Sequence, residues 1–309
     1  MNKYIILVDS GSDLTRELRE KYDIEYIPGH VTFPDGVEHI STLDWDNIDR
    51  EEFFKLLRNK ANNFSTAPAS VEEYKVLLRK FLSEGYDVLV MSISTALSGT
   101  HNFTLIAKEE LAGEFPDRKI ICVDSRRYST AFGMLAIQAS MLRAEGKTIE
   151  EVEAYLNENK NRVHQMGIID DLSFLAKRGR ISHAKAFMGS LIGIKPLGDF
   201  SSGGMPTVIG KAKGEKKAFE AGIEYCRQIS ENIEDQIVFV AHTNRLKQAE
   251  ELIEYVRREL KPKDIIFSEI YALNSINIGP GLAAVYFMGK PITEDLAYEK
   301  ELIDNILKK

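Results

Sequence analysis

The sequence predicts an α/β protein of two domains, and three observations carry that expectation. The first half alternates short apolar runs with amphipathic segments, which is the pattern of parallel βαβ units. A polar, charged stretch at Glu158–Arg162 ends that alternation. The length, 309 residues, is about two domains at ~150 residues each. The boundary expected from this is an N-terminal domain over 1–160 and a C-terminal domain over 161–309.

Each element follows from its local pattern. Tyr4–Val8 is a short apolar run and predicts a buried strand; Leu14–Tyr22 predicts a helix. Ser70-Val71-Glu72-Glu73 is a capping box, in which a hydroxyl and the Glu three residues on satisfy each other's N–H, and it opens a helix towards Ser83. Val88–Met91 is a second buried strand before a helix over Thr100–Leu111, and Ile120–Val123 a third before a helix over Tyr128–Arg143. Past the boundary, His164–Asp170 reads as a strand. Asp199–Gly204 reads as a turn with strand signal on both sides, and Pro206–Gly210 as the return strand. Gly214–Ile229 is a helix, Ile237–Ala241 a strand, and Asn244–Leu260 a long amphipathic helix. Ile265–Tyr271 and Ala283–Met288 predict further strands, and Glu294–Leu307 a terminal helix.

Composition narrows the class. Apolar residues are 44% and charged residues 28%, the mix of a soluble globular protein. Lys and Arg number 40 against 47 Asp and Glu, a net charge of −7. That argues against a nucleic-acid binder and limits membrane contact to a transient one, leaving local basic patches. A chain this long buries roughly three quarters of its unfolded surface, so it needs no disulfides. Cys122 and Cys226 sit in apolar surroundings and read as reduced core thiols of a cytosolic protein. The run Tyr4–Val8 is too short for a signal segment, and no stretch approaches the ~20 apolar residues of a spanning helix. A cytoplasmic location is expected.

The residues after the strands carry more information. Asp9-Ser10-Gly11-Ser12-Asp13 follows the first, Ser92 to Thr100 the second, and Asp124-Ser125 the third. Hydroxyl residues thus gather at the carboxyl ends of several strands, the edge where open parallel sheets bind ligands. Helix N-termini there suit an anion. Each hydroxyl alone would read as a helix cap, but three clusters on one edge point to a site.

Several chemistries are excluded. Gly146-Lys147-Thr148 resembles the end of a P-loop, but Met141 stands where the first Gly is required. Gly-x-Ser-x-Gly is absent, the six histidines lack metal-ligand spacing, and no Gly-x-Gly-x-x-Gly follows the first strand. No cofactor is therefore expected. The competing reading is a metal-dependent phosphotransferase or hydrolase using Asp9 and Asp124, although Gly11 stands where such sites carry a second Asp. Two basic runs stand out: Lys177-Arg178-Gly179-Arg180 with His183 and Lys185, and Lys211, Lys213, Lys216 and Lys217. The glycines beside them suggest close backbone approach to an anionic group or an acidic partner.

Taken in order, these segments resemble a known family. The segments are Asp9-Ser10-Gly11-Ser12-Asp13-Leu14, Ser65-Thr66-Ala67-Pro68, Ser94-Thr95-Ala96-Leu97-Ser98-Gly99-Thr100 and Asp124-Ser125. Further on come Leu175-Ala176-Lys177-Arg178-Gly179-Arg180-Ile181-Ser182, Ile194-Lys195-Pro196 and Gly279-Pro280-Gly281. They are similar, from about residue 3 to 290, to the DegV family of bacterial fatty-acid-binding proteins.

The resemblance implies an N-terminal parallel α/β sheet, a C-terminal α+β domain with a mainly antiparallel sheet, and one long-chain fatty acid between them. It implies a carrier without turnover, which presents the acyl chain to a separate fatty acid kinase subunit. By motif position Ser65, Thr66, Thr95, Ser98 and Asn277 fall at the head group, and Arg180 and Lys213 at basic positions facing a partner or phosphate. Departures from the family pattern are Ser65 for Thr, Ala67 for Gln, Asn277 for His and Lys213 for Arg. The last keeps the charge but loses the planar fork. These changes bear on the hand-off to a kinase more than on lipid binding.

Overall fold

The computed structural model describes residues 3–183 and 193–309. Its chain groups into two compact units, one formed by Met1–Arg50, Asn63–Lys160 and Tyr271–Leu273, the other by Glu51–Asn62, Asn161–Ile270 and Asn274–Lys309.

The first unit is built on a parallel four-stranded sheet. Strand β1 (Tyr4–Asp9) leads through a 3-10 turn (Ser10–Ser12) to α1 (Arg16–Tyr22), and β2 (Ile24–Ile27) pairs beside β1. After β3 (Gly29–Thr32), β4 (Glu38–Ser41), α2 (Arg50–Arg58) and β5 (Ser65–Ala67), helix α3 (Val71–Ser83) returns the chain to β6 (Asp87–Ser92). Then come α4 (Thr100–Leu111), β7 (Ile120–Asp124), α5 (Thr130–Ala144) and α6 (Ile149–Asn159). The sheet order is β2-β1-β6-β7, every pair parallel. Strand β6 is buried along its whole length, as its apolar run requires. One face of the sheet is closed by α3 and α4, whose Tyr74, Leu78, Phe81, Ala107 and Leu111 pack on Leu7, Val88 and Val90. The capping box at Ser70 is formed, with Glu73 N–H to Ser70 Oγ at 3.2 Å and Ser70 N–H to Glu73 at 2.7 Å. A second one, Thr148 with Glu151, opens α6 directly after Gly146-Lys147, so those residues end one helix and introduce another.

A small antiparallel sheet, β4-β3-β5, was not expected from the sequence. Its strands run three or four residues and carry no long apolar run. Strand β3 begins two residues after β2 ends, so this sheet grows from the carboxyl edge of the parallel one.

The second unit holds a six-stranded sheet in the order β10-β9-β8-β13-β11-β12. Its strands are β8 (Val163–Ile169), β9 (Ile194–Phe200), β10 (Pro206–Lys213), β11 (Ile237–His242), β12 (Asp264–Glu269) and β13 (Leu282–Met288). All pairs are antiparallel except β11–β12. The helices are α7 (Ser173–Lys177), α8 (Glu215–Ile229), α9 (Leu246–Tyr255), α10 (Ala272–Ile278) and α11 (Ala297–Lys308). Helix α9 widens into a π-helical turn at Val256–Leu260, completing the long helix expected there. Asp199 and Phe200, expected in a turn, belong to β9. The turn is Ser201–Met205, closed by Ser201 N–H to Met205 O at 2.9 Å. Asp199 is kept in the strand by burial: its carboxylate accepts from Gln165 N, Tyr225 Oη and His164 Nδ1 at 2.8, 2.8 and 2.6 Å. The strand expected over Ile265–Tyr271 stops at Glu269, because α10 begins at Ala272.

Candidate functional site

The carboxyl edge of the parallel sheet gathers the hydroxyl residues. At the end of β1, Ser10 Oγ accepts the Gly29 N–H at 2.9 Å, which ties that edge to the start of β3. A Cβ on Gly29 would stand 2.8 Å from Ala67 O and 3.3 Å from Ser10 Oγ, so only glycine lets β5 approach this closely. Ser65 and Thr66 lie on β5, opposite Thr32 and Val31. Successive strand side chains face opposite ways, so Ser65 shares a face with Ala67 and His30, and Thr66 shares the other with buried Val31. Ser65 is exposed and Thr66 half-buried.

Ile93 to Gly99 form the loop between β6 and α4. Ser98 Oγ and Thr100 Oγ1 are 2.7 Å apart, and Ser98 Oγ also accepts the Thr100 N–H at 3.3 Å. When Thr100 donates to Ser98, the Ser98 proton is left for a ligand. Thr95 Oγ1 donates to Asp124 Oδ2 at 2.7 Å. Simple helix capping does not account for these hydroxyls. Gly99 and Ser129 occupy the cap positions of α4 and α5 without any side-chain cap bond. Ser129 instead donates to Asp13, whose other oxygen accepts the Tyr271 N–H at 3.0 Å. Tyr271 and Leu273 thereby join this edge, with Trp45 and Tyr271 rings 5.8 Å apart and Leu273 against Gly29. The sequence singled out Asp13 but had no sign of its partners, which come from over a hundred residues away.

Asp9 and Asp124 end β1 and β7. Asp9 is 8% exposed and accepts the N–H groups of Gly11 and Ile93 at 2.7 and 2.9 Å. Burial pushes its carboxyl up to about 6, against the downward pull of those two N–H groups. Asp124 accepts from Arg126 N at 2.8 Å and from Thr95. Among the described residues, no three His, Cys, Asp or Glu side chains converge as metal ligands. Beside Asp124, Lys160 Nζ donates to Asp124 O at 3.0 Å, and burial holds its ammonium below the ordinary lysine range.

In the second unit Asn277 lies on α10, 8% exposed. Arg180 follows the end of α7, its N–H to Leu175 O at 2.9 Å and Gly179 at φ +68°. Lys213 ends β10 and, with Lys216, Lys217 and Lys309, lines a cleft of about 610 Å³. Of the glycines beside the basic runs, Gly210 marks a close approach, a Cβ there standing 3.0 Å from Ile303 of α11, whereas Gly179 and Gly214 do not. A Cβ on Gly179 or Gly214 meets nothing within 4 Å, and both glycines serve a positive φ, +68° and +80°. Lys185 lies outside the described residues.

The family model described as an uncharacterised protein of the DegV family matches residues 3–290. A DegV domain-containing protein of Clostridium perfringens is 33% identical, over 94% of this chain and 98% of its own. A fatty acid-binding protein of Thermotoga maritima is 31% identical, over 90% of this chain and 95% of its own. The solved structure of a DegV family protein from Thermus thermophilus, described for its fatty acid binding, is 28% identical. It superposes with a TM-score of 0.83 over 94% of this chain and 100% of its own. The ordered strand-end motifs, the parallel and mainly antiparallel sheets, and a match spanning nearly the whole length agree: the chain belongs to the DegV family.

Proposed function

We propose that this protein binds one long-chain fatty acid, such as palmitate, and holds its carboxylate with the hydroxyls of Ser65 and Ser98, while Thr66, on the opposite face of β5, enters by motif position alone. The relatives supply the ligand class. What carries the reading in this chain is the hydroxyl-lined carboxyl edge, where Ser98 Oγ and Thr100 Oγ1 share one hydrogen bond, which leaves the proton of whichever hydroxyl accepts it for a ligand. Asn277 enters the proposal by motif position alone. The carrier performs no turnover of its own and presents the acyl group to a separate fatty acid kinase, with Arg180 and Lys213 meeting the acidic partner or phosphate.

The test is to denature the purified protein and identify released lipid by mass spectrometry. About one C16 or C18 fatty acid per chain is expected; lipid-free protein with no affinity for added palmitate refutes it. Replacing Ser65 and Ser98 by Ala should weaken binding about ten- to a hundredfold for each charge-assisted bond lost. Chain contacts are untouched, so residual binding should survive in a palmitate titration.

A further inference from the structure

We propose that Asp9 and Asp124 are a matched pair of positioning residues that grip the Ile93–Gly99 loop from both sides and set where Ser98 stands. The inference rests on the carboxylate site proposed above. Strand β6 lies between β1 and β7, and the two aspartates end those flanking strands. Each does the same two things. With Oδ1 each accepts the N–H two residues on in its own chain, Gly11 N at 2.7 Å for Asp9 and Arg126 N at 2.8 Å for Asp124. Each then reaches the loop between them. Asp9 Oδ2 accepts Ile93 N at 2.9 Å, and Asp124 accepts Thr95 N at 3.3 Å and Thr95 Oγ1 at 2.7 Å.

Between those anchors, Ser94 N donates to Arg127 O at 3.0 Å. Three successive residues, 93 to 95, are therefore pinned, Ile93 from the end of β1 and Ser94 and Thr95 from the end of β7 and the segment after it. Ser94 O in turn accepts the N–H groups of Leu97 and Ser98 at 3.0 and 3.2 Å, so Ser98 is built on the pinned segment. An ionised carboxylate suits the task because its two oxygens accept several donors at once. An amide has one acceptor oxygen and would turn its NH₂ towards an N–H. A side chain on Gly11 would start 2.6 Å from Asp9 Oδ1, so glycine there clears the grip. Thr95 serves the site as a loop anchor, since its one hydroxyl proton goes to Asp124.

The test uses the whole chain as wild type, Asp9→Asn, Asp124→Asn and Thr95→Val, with palmitate labelled with ¹³C at its carboxyl. In the lipid-free protein, amide hydrogen exchange at Ile93 to Ser98 should rise about tenfold or more in each variant, as expected for loss of a local anchor. With lipid, the bound carboxyl resonance should move or broaden and palmitate should leave about tenfold faster, at unchanged stoichiometry. Wild-type exchange in the loop together with an unchanged carboxyl resonance in the folded variants overturns the proposal. Thr95→Val removes only a hydroxyl bond, so it decides the matter if Asp9→Asn does not fold. Should wild type bind no palmitate, the fatty-acid reading fails, and exchange without lipid still decides the grip.

Discussion

Asp9 and Asp199 are both buried, yet their environments give them opposite signs with pH. Burial raises Asp9 from 3.8 to about 6. Between those values the folded state keeps a proton that the unfolded chain has released, so stability falls as pH rises through that window, by about 3 kcal/mol at neutral pH. For Asp199 burial also pushes upward. It is outweighed by the charge and hydrogen bond of His164 with the bonds from Gln165 N and Tyr225, which hold the carboxyl below its ordinary range. Its contribution is present above the ordinary carboxylate value and is lost as pH falls through the lowered one. Urea unfolding of wild type and Asp9→Asn should show their difference moving by about 3 kcal/mol in the variant's favour from pH 4 to 7. Asp199→Asn should cost about 3–5 kcal/mol at pH 7, since it breaks a buried pair, and the deficit should shrink below pH 4. A pH-independent difference in either series would refute the assignment. Both aspartates were visible in the sequence. Their partners were not, because Ile93 and His164 reach them from 84 and 35 positions away, and periodicity carries no such distance.

At the scale of elements, legibility followed length and burial only in part, since helices α2 and α6, nine and eleven residues long, were not expected. Strand β6 and helices α4, α5 and α8 announce themselves because each makes a sustained pattern against one core. Strands β2 to β5 escape notice because three or four residues give too few positions for an alternation to register. Yet β5 carries Ser65 and Thr66, so the motif was visible while the element displaying it was not. Helix α5 shows what pattern cannot reveal. It is buried nearly all round, and its Gly133 lies against the turn after β1. A Cβ there would stand 2.5 Å from Ser12 O and 2.9 Å from Leu14 Cδ2. Helix propensity alone favours Ala over Gly by roughly 1 kcal/mol. Overpacking against a backbone carbonyl costs about 1–3 kcal/mol and should win. Gly133→Ala is therefore expected to lower the melting temperature, and calorimetry showing a rise would mean that α5 can shift away from the turn.

At the scale of the whole molecule, the proposed fatty-acid binding divides the labour between a tail that would supply affinity and polar groups that would supply placement. Burying ~14 methylenes of a C16 chain at about 0.8 kcal/mol each gives roughly 11 kcal/mol of gross driving force. Association costs of several kcal/mol come off that. On that proposal Arg180 and Lys213 are not needed to bury the tail and are left to serve a partner. Arg180 and Lys213 belong to the second unit, and Lys213 sits with Lys216, Lys217 and Lys309 around one cleft that Glu220 and Glu224 also line, in a chain of net charge −7. Exposed lysines and arginines on an acidic protein act on the rate of encounter with an acidic partner, and the effect weakens as salt screens it. Lys213 offers a point charge, so Lys213→Arg should strengthen contact with a phosphate through two parallel bonds. The measurement takes the cognate kinase, ATP and lipid-loaded protein, and follows both palmitate binding and acyl-phosphate formation at two salt concentrations. Arg180→Ala and Lys213→Ala should retain palmitate while slowing acyl-phosphate formation, with the deficit largest at low salt. If both variants lose palmitate in proportion to turnover, these residues support the lipid or the fold, and the partner-facing role is wrong.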